Sequence, residues 1–304
     1  MSYHYYLTDV FTDRPFGGNQ LAVFPDASDI PEQMLLPITR EFNFSEVTFV
    51  YAAADARNAR RVRIFTPGGE IPFAGHPTVG TAHVLFASGE LRAECGEVTI
   101  VLEEGVGPVP VRVRLPEGGA LAPTFVQLSV AKLPEVVPPA SGLETLAEVL
   151  SLDVGDFLGG DYMPEAVSCG IPFLMVALKS RDAVRRARVR LDAWERTLRG
   201  TSSQEMMVFA LDPERPGTDI RTRVFVPGLS VPEDPATGSA SACLGGYLAA
   251  RTPRDGTLRW VSEQGVEMGR PSIIEIEADK SGGRITAVRV GGSAVMVGQG
   301  KLTL

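Results

Sequence analysis

Cysteine is scarce in this chain. Cys95, Cys169 and Cys243 are its three cysteines and stand at unrelated spacings, so they form neither a disulfide framework nor a metal-ligand pattern. No charged-then-apolar leader precedes Tyr5, and the expected setting is a reducing cytoplasm. Positive charge is in deficit too. The formal net charge is −8, and outside Arg185–Arg190 the basic residues are scattered. No broad cationic face is available to displace counterions from a phosphate backbone, which excludes nucleic acid as an expected partner. Long apolar runs are missing as well: none approaches the ~18 residues that span a bilayer, so no membrane partner is expected. Hydrophobic residues make up 44% and charged residues 22% of the 304. That balance belongs to a folded, water-soluble protein of about two domains rather than to a disordered or fibrous chain.

The sequence does contain an internal repeat. Arg61-Val-Arg-Ile-Phe-Thr-Pro-Gly68 and Arg221-Thr-Arg-Val-Phe-Val-Pro-Gly228 stand 160 positions apart, and the match continues through Ile71-Pro72 with Val231-Pro232 and Ala82 with Ala242. Weaker echoes lie upstream. Phe16–Phe24 resembles Ser168–Val176, and Ser45-Glu46-Val-Thr-Phe-Val50 resembles Gln204-Glu205-Met-Met-Val-Phe209. A repeat of this kind decides architecture. The expectation is two similar halves, 1–115 and 130–290, joined across the Pro-rich stretch 116–139, with the last strand (294–304) returning to the first half.

Short β-branched runs at Glu97–Leu102, Val109–Leu115, Ser272–Ile276 and Ile285–Gly291 are separated by Gly and Pro turns, the pattern of antiparallel strands rather than βαβ units. Helices are expected at about Pro77–Ser88 and Gly238–Ala250, ended by Gly89 and Pro253. Both are small-residue-rich and apolar around most of their circumference, so both should be buried. The fold class that follows is α+β: two pseudo-symmetric domains, each a curled, mostly antiparallel sheet or barrel around a central helix.

The starts of those helices carry the residues capable of chemistry. They read Ala74-Gly75-His76-Pro77-Thr78 and Glu233-Asp234-Pro235-Ala236-Thr237-Gly238-Ser239, with Thr237 or Ser239 able to cap. Four N–H groups at each start lack intrahelical partners and the helix dipole adds positive character, so each start suits a carboxylate. With the offset held at 160, Ala74 is the counterpart of Asp234 and His76 of Ala236, so the polar groups break the symmetry where a ligand would lie in a cleft between the halves. Cys243 then matches His83, with core packing the plain role for both. Each candidate admits a plain role: Asp234 as a helix-start residue, His76 as a buried turn histidine, Glu46 as a solvated charge at a strand entrance. Racemisation by two thiols is disfavoured because neither helix start has a cysteine.

Asn43-Phe44-Ser45-Glu46, Phe73–Thr78 and Glu233–Ser239, in this order and at these separations, resemble the phenazine-biosynthesis PhzF-like isomerases. Asp9-Val10-Phe11 with Gly18-Asn19, and Gln264-Gly265 with Gly269-Arg270-Pro271-Ser272, extend the resemblance over nearly the whole chain. It implies a diaminopimelate epimerase-like fold, no cofactor and no metal, a homodimer, and a small carboxylate-bearing substrate with amino or hydroxyl groups. It further implies Glu46 as the acid/base that moves the proton, supported by Ser45. His76 and Asp234 would bind substrate and assist the shuttle, and Gly75, Gly238, Ser239 and Asn19 would join in substrate binding. Two departures stand out. Gln20 replaces the proline that commonly follows Gly-Asn, and Pro37 falls within the helix-like run Pro31–Phe42, where an interior proline costs about 3 kcal/mol and should kink or split it.

A cofactor-free proton shift needs one group that accepts a proton and returns it to another atom, and a carboxylate does this when burial raises its pKa. Facing helix starts act in the opposite direction, so the negative charge of the bound substrate would restore Glu46 to a useful range. Two other readings stay open: a lyase or dehydratase using the same proton abstraction, and a binding protein that keeps the fold without catalysis.

Overall fold

The structure is a computed structural model that describes residues 2–93, 96–117, 121–138, 141–201, 204–229 and 231–304. Cys95 and parts of the Pro-rich stretch (118–120 and 139) lie outside the described residues. Contacts divide the chain into two units, residues 1–131 with 290–304, and residues 132–289.

The first unit runs β1 (Ser2–Val10), β2 (Asn19–Phe24), α1 (Leu35–Phe42), β3 (Glu46–Tyr51), β4 (Arg60–Thr66), β5 (Gly69–Ile71), α2 (Gly75–Ala87), β6 (Gly96–Glu104), β7 (Gly107–Leu115) and β8 (Phe125–Ser129). The second contains β9 (Glu135–Val137), α3 (Leu143–Leu150), β10 (Glu165–Ser168), β11 (Pro172–Ala177), α4 (Arg181–Arg186), α5 (Leu191–Thr197), β12 (Met206–Ala210), β13 (Ile220–Val226), β14 (Val231–Asp234), α6 (Gly238–Arg251), β15 (Gly256–Gln264), β16 (Ser272–Ser281) and most of β17 (Arg284–Gly292). The last strand, β18 (Ala294–Thr303), belongs to the first unit and pairs antiparallel with β1 along nearly its whole length.

Pairing repeats between the units. In the first, β2–β3 is parallel, β3–β4 and β4–β5 antiparallel, β4–β6 parallel and β6–β7 antiparallel. In the second, β11–β12, β12–β13, β13–β14, β13–β15 and β15–β16 follow the same order of directions. The sheets are thus mostly antiparallel, as expected, with two parallel pairs in each unit whose positions the sequence did not mark. Short runs cannot reveal this, because β-propensity carries no information about strand direction.

The 160-residue offset holds in the strands. Arg60 and Arg61 pair with Leu102 and Glu103 as Ile220 and Arg221 pair with Ser262 and Glu263. It fails at the helices, whose first residues, Gly75 and Gly238, stand 163 apart. Two extra residues enter at the turn around Pro227–Leu229, since four residues separate the paired Val226 and Val231 where two separate Thr66 and Gly69, and a third enters at a register shift on β14. Register confirms the slip: Ile71 pairs with Ile64, and Asp234 pairs with the equivalent Val224. The counterpart of Asp234 is therefore Ile71, not Ala74. Counting from the helix starts, Ser239 rather than Ala236 answers His76, and Gly80 rather than His83 answers Cys243.

Each unit curls its sheet around its own helix. Every residue of α2 from Gly75 to Phe86 is buried, and the helix meets β1, β2, β3, β7, β8 and β18. The small residues permit this closeness: a Cβ on Gly80 would come within 2.6 Å of the Val10 and Leu21 side chains. Strands present one face inward, as in β7, where Val109, Val111, Val113 and Leu115 are buried in strict alternation. On β16 the inward register even buries Lys280, whose ammonium donates to the Ala249 and Thr252 carbonyls at the end of α6 and so satisfies orphan helix acceptors. In the second unit α3, α4 and α5 cover the other sheet face through Leu146, Val184, Trp194 and Leu198 packed with Met206 and Val208.

Pro37 neither kinks nor interrupts a long helix. The run splits earlier, into a 3-10 turn at Glu32–Met34 and then α1, so the proline sits in the first turn of α1, where its missing N–H costs no intrahelical bond.

Gly18 closes the loop between β1 and β2 at φ +60°, and a Cβ there would lie 2.1 Å from the Val10 carbonyl oxygen. Gly256 is also left-handed, at φ +105°, but faces open space. Gly18→Ala should therefore cost clearly more than the roughly 1–3 kcal/mol of backbone strain that Gly256→Ala incurs. Urea titration of the two variants checks this, and equal midpoints would show that the Val10 contact imposes no constraint.

Candidate active site

In the first unit three of the expected residues come together. Glu46 opens β3, level with Leu21 of the parallel strand β2. His76 is the second residue of α2, and Asn19 begins β2. His76 Nε2 lies 3.4 Å from Glu46 Oε2, with side chains 4% and 15% exposed. On the other side of the ring, Asn19 Nδ2 stands 3.1 Å from Nδ1. An amide N–H donating to Nδ1 makes that nitrogen the acceptor and leaves the ring proton on Nε2, aimed at Glu46. Burial pushes the His76 imidazole down to about 3, only weakly opposed by the main chain of Gln20. The ring is therefore neutral near pH 7. The contact is that of a neutral N–H donor close to a carboxylate, longer than an ordinary hydrogen bond, and not an ion pair.

The β1–β2 loop sets Asn19 in place. Phe11 and Phe16 both adopt positive φ, and the buried Asp9 carboxylate accepts the Phe16 N–H at 2.7 Å. The motif Asp9-Val10-Phe11 with Gly18-Asn19 is thus a folded device rather than a linker. Ser45, half-buried, precedes β3, and Gly75 is the first residue of α2. The N-cap position of α2 is Ala74, which gives no side-chain cap.

In the second unit Asp234 ends β14, and its side chain is buried. Thr237 Oγ1 donates to Asp234 Oδ2 at 2.5 Å. Thr237 holds the N-cap position of α6, but its hydroxyl is committed to Asp234 and makes no cap bond, contrary to the expectation of a capping side chain. Gly238 and the half-buried Ser239 then form the first two residues of the helix. Gln264 organises this turn. Its Nε2 donates to the Asp234 carbonyl at 2.8 Å and to Thr237 Oγ1 at 3.0 Å, and its Oε1 accepts the Thr237 N–H at 3.2 Å. Ser272 Oγ lies 2.9 Å from the Pro235 carbonyl oxygen and 3.1 Å from that of Gln264, with one proton shared between them, while Gly265, at φ +73°, lies against the Pro235 carbonyl.

Gln264 and Ser272 were legible as parts of a motif but not as supports of the Asp234 turn. Two further buried acids were not singled out, although the match of Ser45–Val50 with Gln204–Phe209 already set Glu205 against Glu46. Glu205 is the counterpart of Glu46, because Phe65 pairs with Val47 as Phe225 pairs with Met206. Burial pushes its carboxyl up to about 7, against the lowering influence of Gly228 and Gln204. Glu104 is described below. The signal for both was the repeat itself, read down the strands instead of at the helix starts. Among the described residues no group of three or more His, Cys, Asp or Glu is arranged to hold a metal ion, and no helix is long and apolar enough to cross a membrane.

Residues 8–300 match the model of the family described as phenazine biosynthesis-like protein. An uncharacterized isomerase of Mesorhizobium japonicum is 36% identical over 303 residues, covering 98% of each chain. The trans-2,3-dihydro-3-hydroxyanthranilate isomerase of Pseudomonas fluorescens is 33% identical over 307 residues, covering 99% of this chain and 100% of that one. The crystal structure of a PhzF-family phenazine biosynthesis protein from Bacillus anthracis shares the fold, with a TM-score of 0.89 over 100% of both chains at 24% identity.

The neutral state of His76 is open to measurement. An unfolded histidine titrates near 6.5, so a folded value of about 3 makes the unfolded state the better proton binder between those values. His76 thus contributes stability that is fully present above about pH 6.5 and is lost as pH falls toward 3, at up to about 1.4 kcal/mol per pH unit. NMR of the ring carbons should show a neutral His76 from pH 8 to pH 5, and protonation near pH 6.5 would overturn the assignment.

Proposed function

The chain belongs to the phenazine biosynthesis-like protein family and is an isomerase, and from that premise we propose that it moves a proton within a small carboxylate-bearing metabolite carrying an amino or hydroxyl group. Glu46 takes the proton from one atom of the substrate and returns it to another. The observation that carries this reading is the 3.4 Å approach of Glu46 to a neutral, buried His76. A cationic imidazole beside Glu46 would stabilise its carboxylate strongly and make it a poor base. A neutral N–H orients the carboxylate and leaves more of its basicity intact.

The remaining roles follow from position. Asn19 fixes the tautomer of His76, and Ser45 supports Glu46 from the preceding residue. Asp234, locked by Thr237 and Gln264, takes up the amino or hydroxyl group. Gly75, Gly238 and Ser239 stand at helix starts without side-chain caps, where N–H groups and the helix dipole favour the substrate carboxylate. On this reading the enzyme works with its own side chains, as a homodimer in the cytoplasm, and sedimentation at micromolar concentration should return twice the 32.5 kDa chain mass.

The test uses trans-2,3-dihydro-3-hydroxyanthranilate, the compound in the name of the P. fluorescens relative, as a first probe in heavy water. Wild-type protein should place deuterium at carbon. Glu46→Gln should keep its affinity for the probe and lose about 10²–10⁴-fold in exchange rate. His76→Ala and Asp234→Asn should weaken both binding and rate. Full exchange in Glu46→Gln would remove Glu46 from its role, and saturable binding by wild type without exchange would favour a ligand-binding protein.

A further inference from the structure

Glu104 ends β6, and Gln264 ends β15 at the same register position. Both are buried, and both reach a threonine at the start of the central helix of their unit. At α6 the proton count is unambiguous. The Gln264 amide donates to Thr237 Oγ1, and that hydroxyl spends its single proton on Asp234. At α2, Thr78 Oγ1 lies 2.8 Å from the Ala74 carbonyl oxygen and 2.7 Å from Glu104 Oε1. A carbonyl oxygen only accepts, and a hydroxyl has one proton to give. If Glu104 were a carboxylate, two acceptors would compete for that proton and one short contact would be oxygen against oxygen with no hydrogen between. Both contacts are satisfied when the carboxyl carries the proton.

We propose that Glu104 is a carboxylic acid in the working protein, and that its O–H is the donor anchoring the first turn of α2, the part that the side-chain amide of Gln264 takes at α6. Glu104 is then a positioning residue. Through Thr78 and the Ala74 carbonyl it fixes the turn that carries Gly75 and His76, whatever substrate the site accepts.

The surroundings agree. On β4, which pairs with β6, Arg60 donates to the Ala59 and Glu90 carbonyls and Arg61 lies over the Tyr51 ring. On β7 the residue opposite Glu104 is Gly107. On α2 the titratable groups are His76 and His83, and burial keeps both neutral near pH 7. Glu103, adjacent on β6, is held by the N–H groups of Ala54 and Asp55 and by the Asn58 amide. With no cation engaged, burial pushes Glu104 up to about 8, against a smaller lowering by Thr78.

Glu104→Gln installs the group that the second unit already uses, and it is the central variant. The infrared difference spectrum of wild type minus Glu104→Gln isolates this carboxyl from Glu205. It should show a protonated-carboxyl carbonyl band at pH 7 that disappears as the pH passes about 8; carboxylate bands alone at pH 7 would overturn the proposal. Relative to Glu104→Gln, wild type should lose thermal stability as pH rises from about 4.3, the unfolded value, through about 8, because its folded form holds the proton more tightly. Parallel stability curves, or a Glu104→Gln chain that does not fold, would also overturn it. The His76 ring signals should stay in place in Glu104→Gln and shift in Thr78→Val, which removes the acceptor. Unshifted signals in Thr78→Val would show that the contact positions nothing.

Discussion

A helix wrapped by its own sheet has to begin inside the protein, and most of the rest follows from that. An exposed helix start satisfies its first four N–H groups with water. The starts of α2 and α6 are buried, and neither has a side-chain cap from its N-cap residue. What holds them comes from the sheet: Glu104 at one and Gln264 at the other reach across to a threonine. At α6 the same glutamine also accepts the Thr237 N–H through its Oε1. A buried, rigid and uncapped helix start is costly for a protein with no anion to bind, and it suits one that must hold a carboxylate while a proton moves elsewhere on the same molecule.

The duplication separates scaffold from chemistry. Some positions doing the same structural work kept the same residue. Glu103 accepts the N–H groups of Ala54 and Asp55, and Glu263, 160 residues on, accepts those of Glu214 and Arg215. Positions at the helix starts diverged. His76 answers to Ser239 and Asp234 to Ile71, and Glu46 answers to Glu205, whose carboxyl lies against Gly228. One half contributes an acid with a neutral histidine, while the other contributes an acid locked by a threonine and an amide. Two copies of one frame therefore carry different side chains at these positions.

Much of this frame was legible in the sequence, because the repeat Arg-x-Arg-x-Phe-x-Pro-Gly marks β4 and β13 directly and strand registers follow hydrophobic alternation. Glu46, His76 and Asn19 were identifiable from motifs, and the structure brings the three together. What failed was counting through a loop. Residues added in the turn around Pro227–Leu229 and at the register shift on β14 displace Asp234 and the helix after it, so an offset correct for Arg61 and Arg221 gave wrong partners for Asp234, His76 and Cys243. The parallel pairs escaped because direction is set by the path of the chain between strands and not by the strands' own residues. Glu104 escaped because a glutamate at a strand end reads as solvated until its threonine partner is seen.

The electrostatics of the first unit impose one further constraint. A carboxylate in a largely buried site is stabilised by any cation near it, and every such stabilisation makes it a weaker base. His76 is neutral because burial outweighs any gain from Glu46 at 3.4 Å, and no basic side chain is among the groups acting on Glu104. Arg63 is engaged by Glu32 and Glu70 at the surface, and Arg221 by Glu263 and Glu267 in a buried cluster. A protonated Glu104, as proposed, would keep its hydrogen bond to Thr78 without placing a negative charge beside α2. At α6 an amide serves at the matching position, and Gln264 makes its bonds to Thr237 and to the Asp234 carbonyl without titrating.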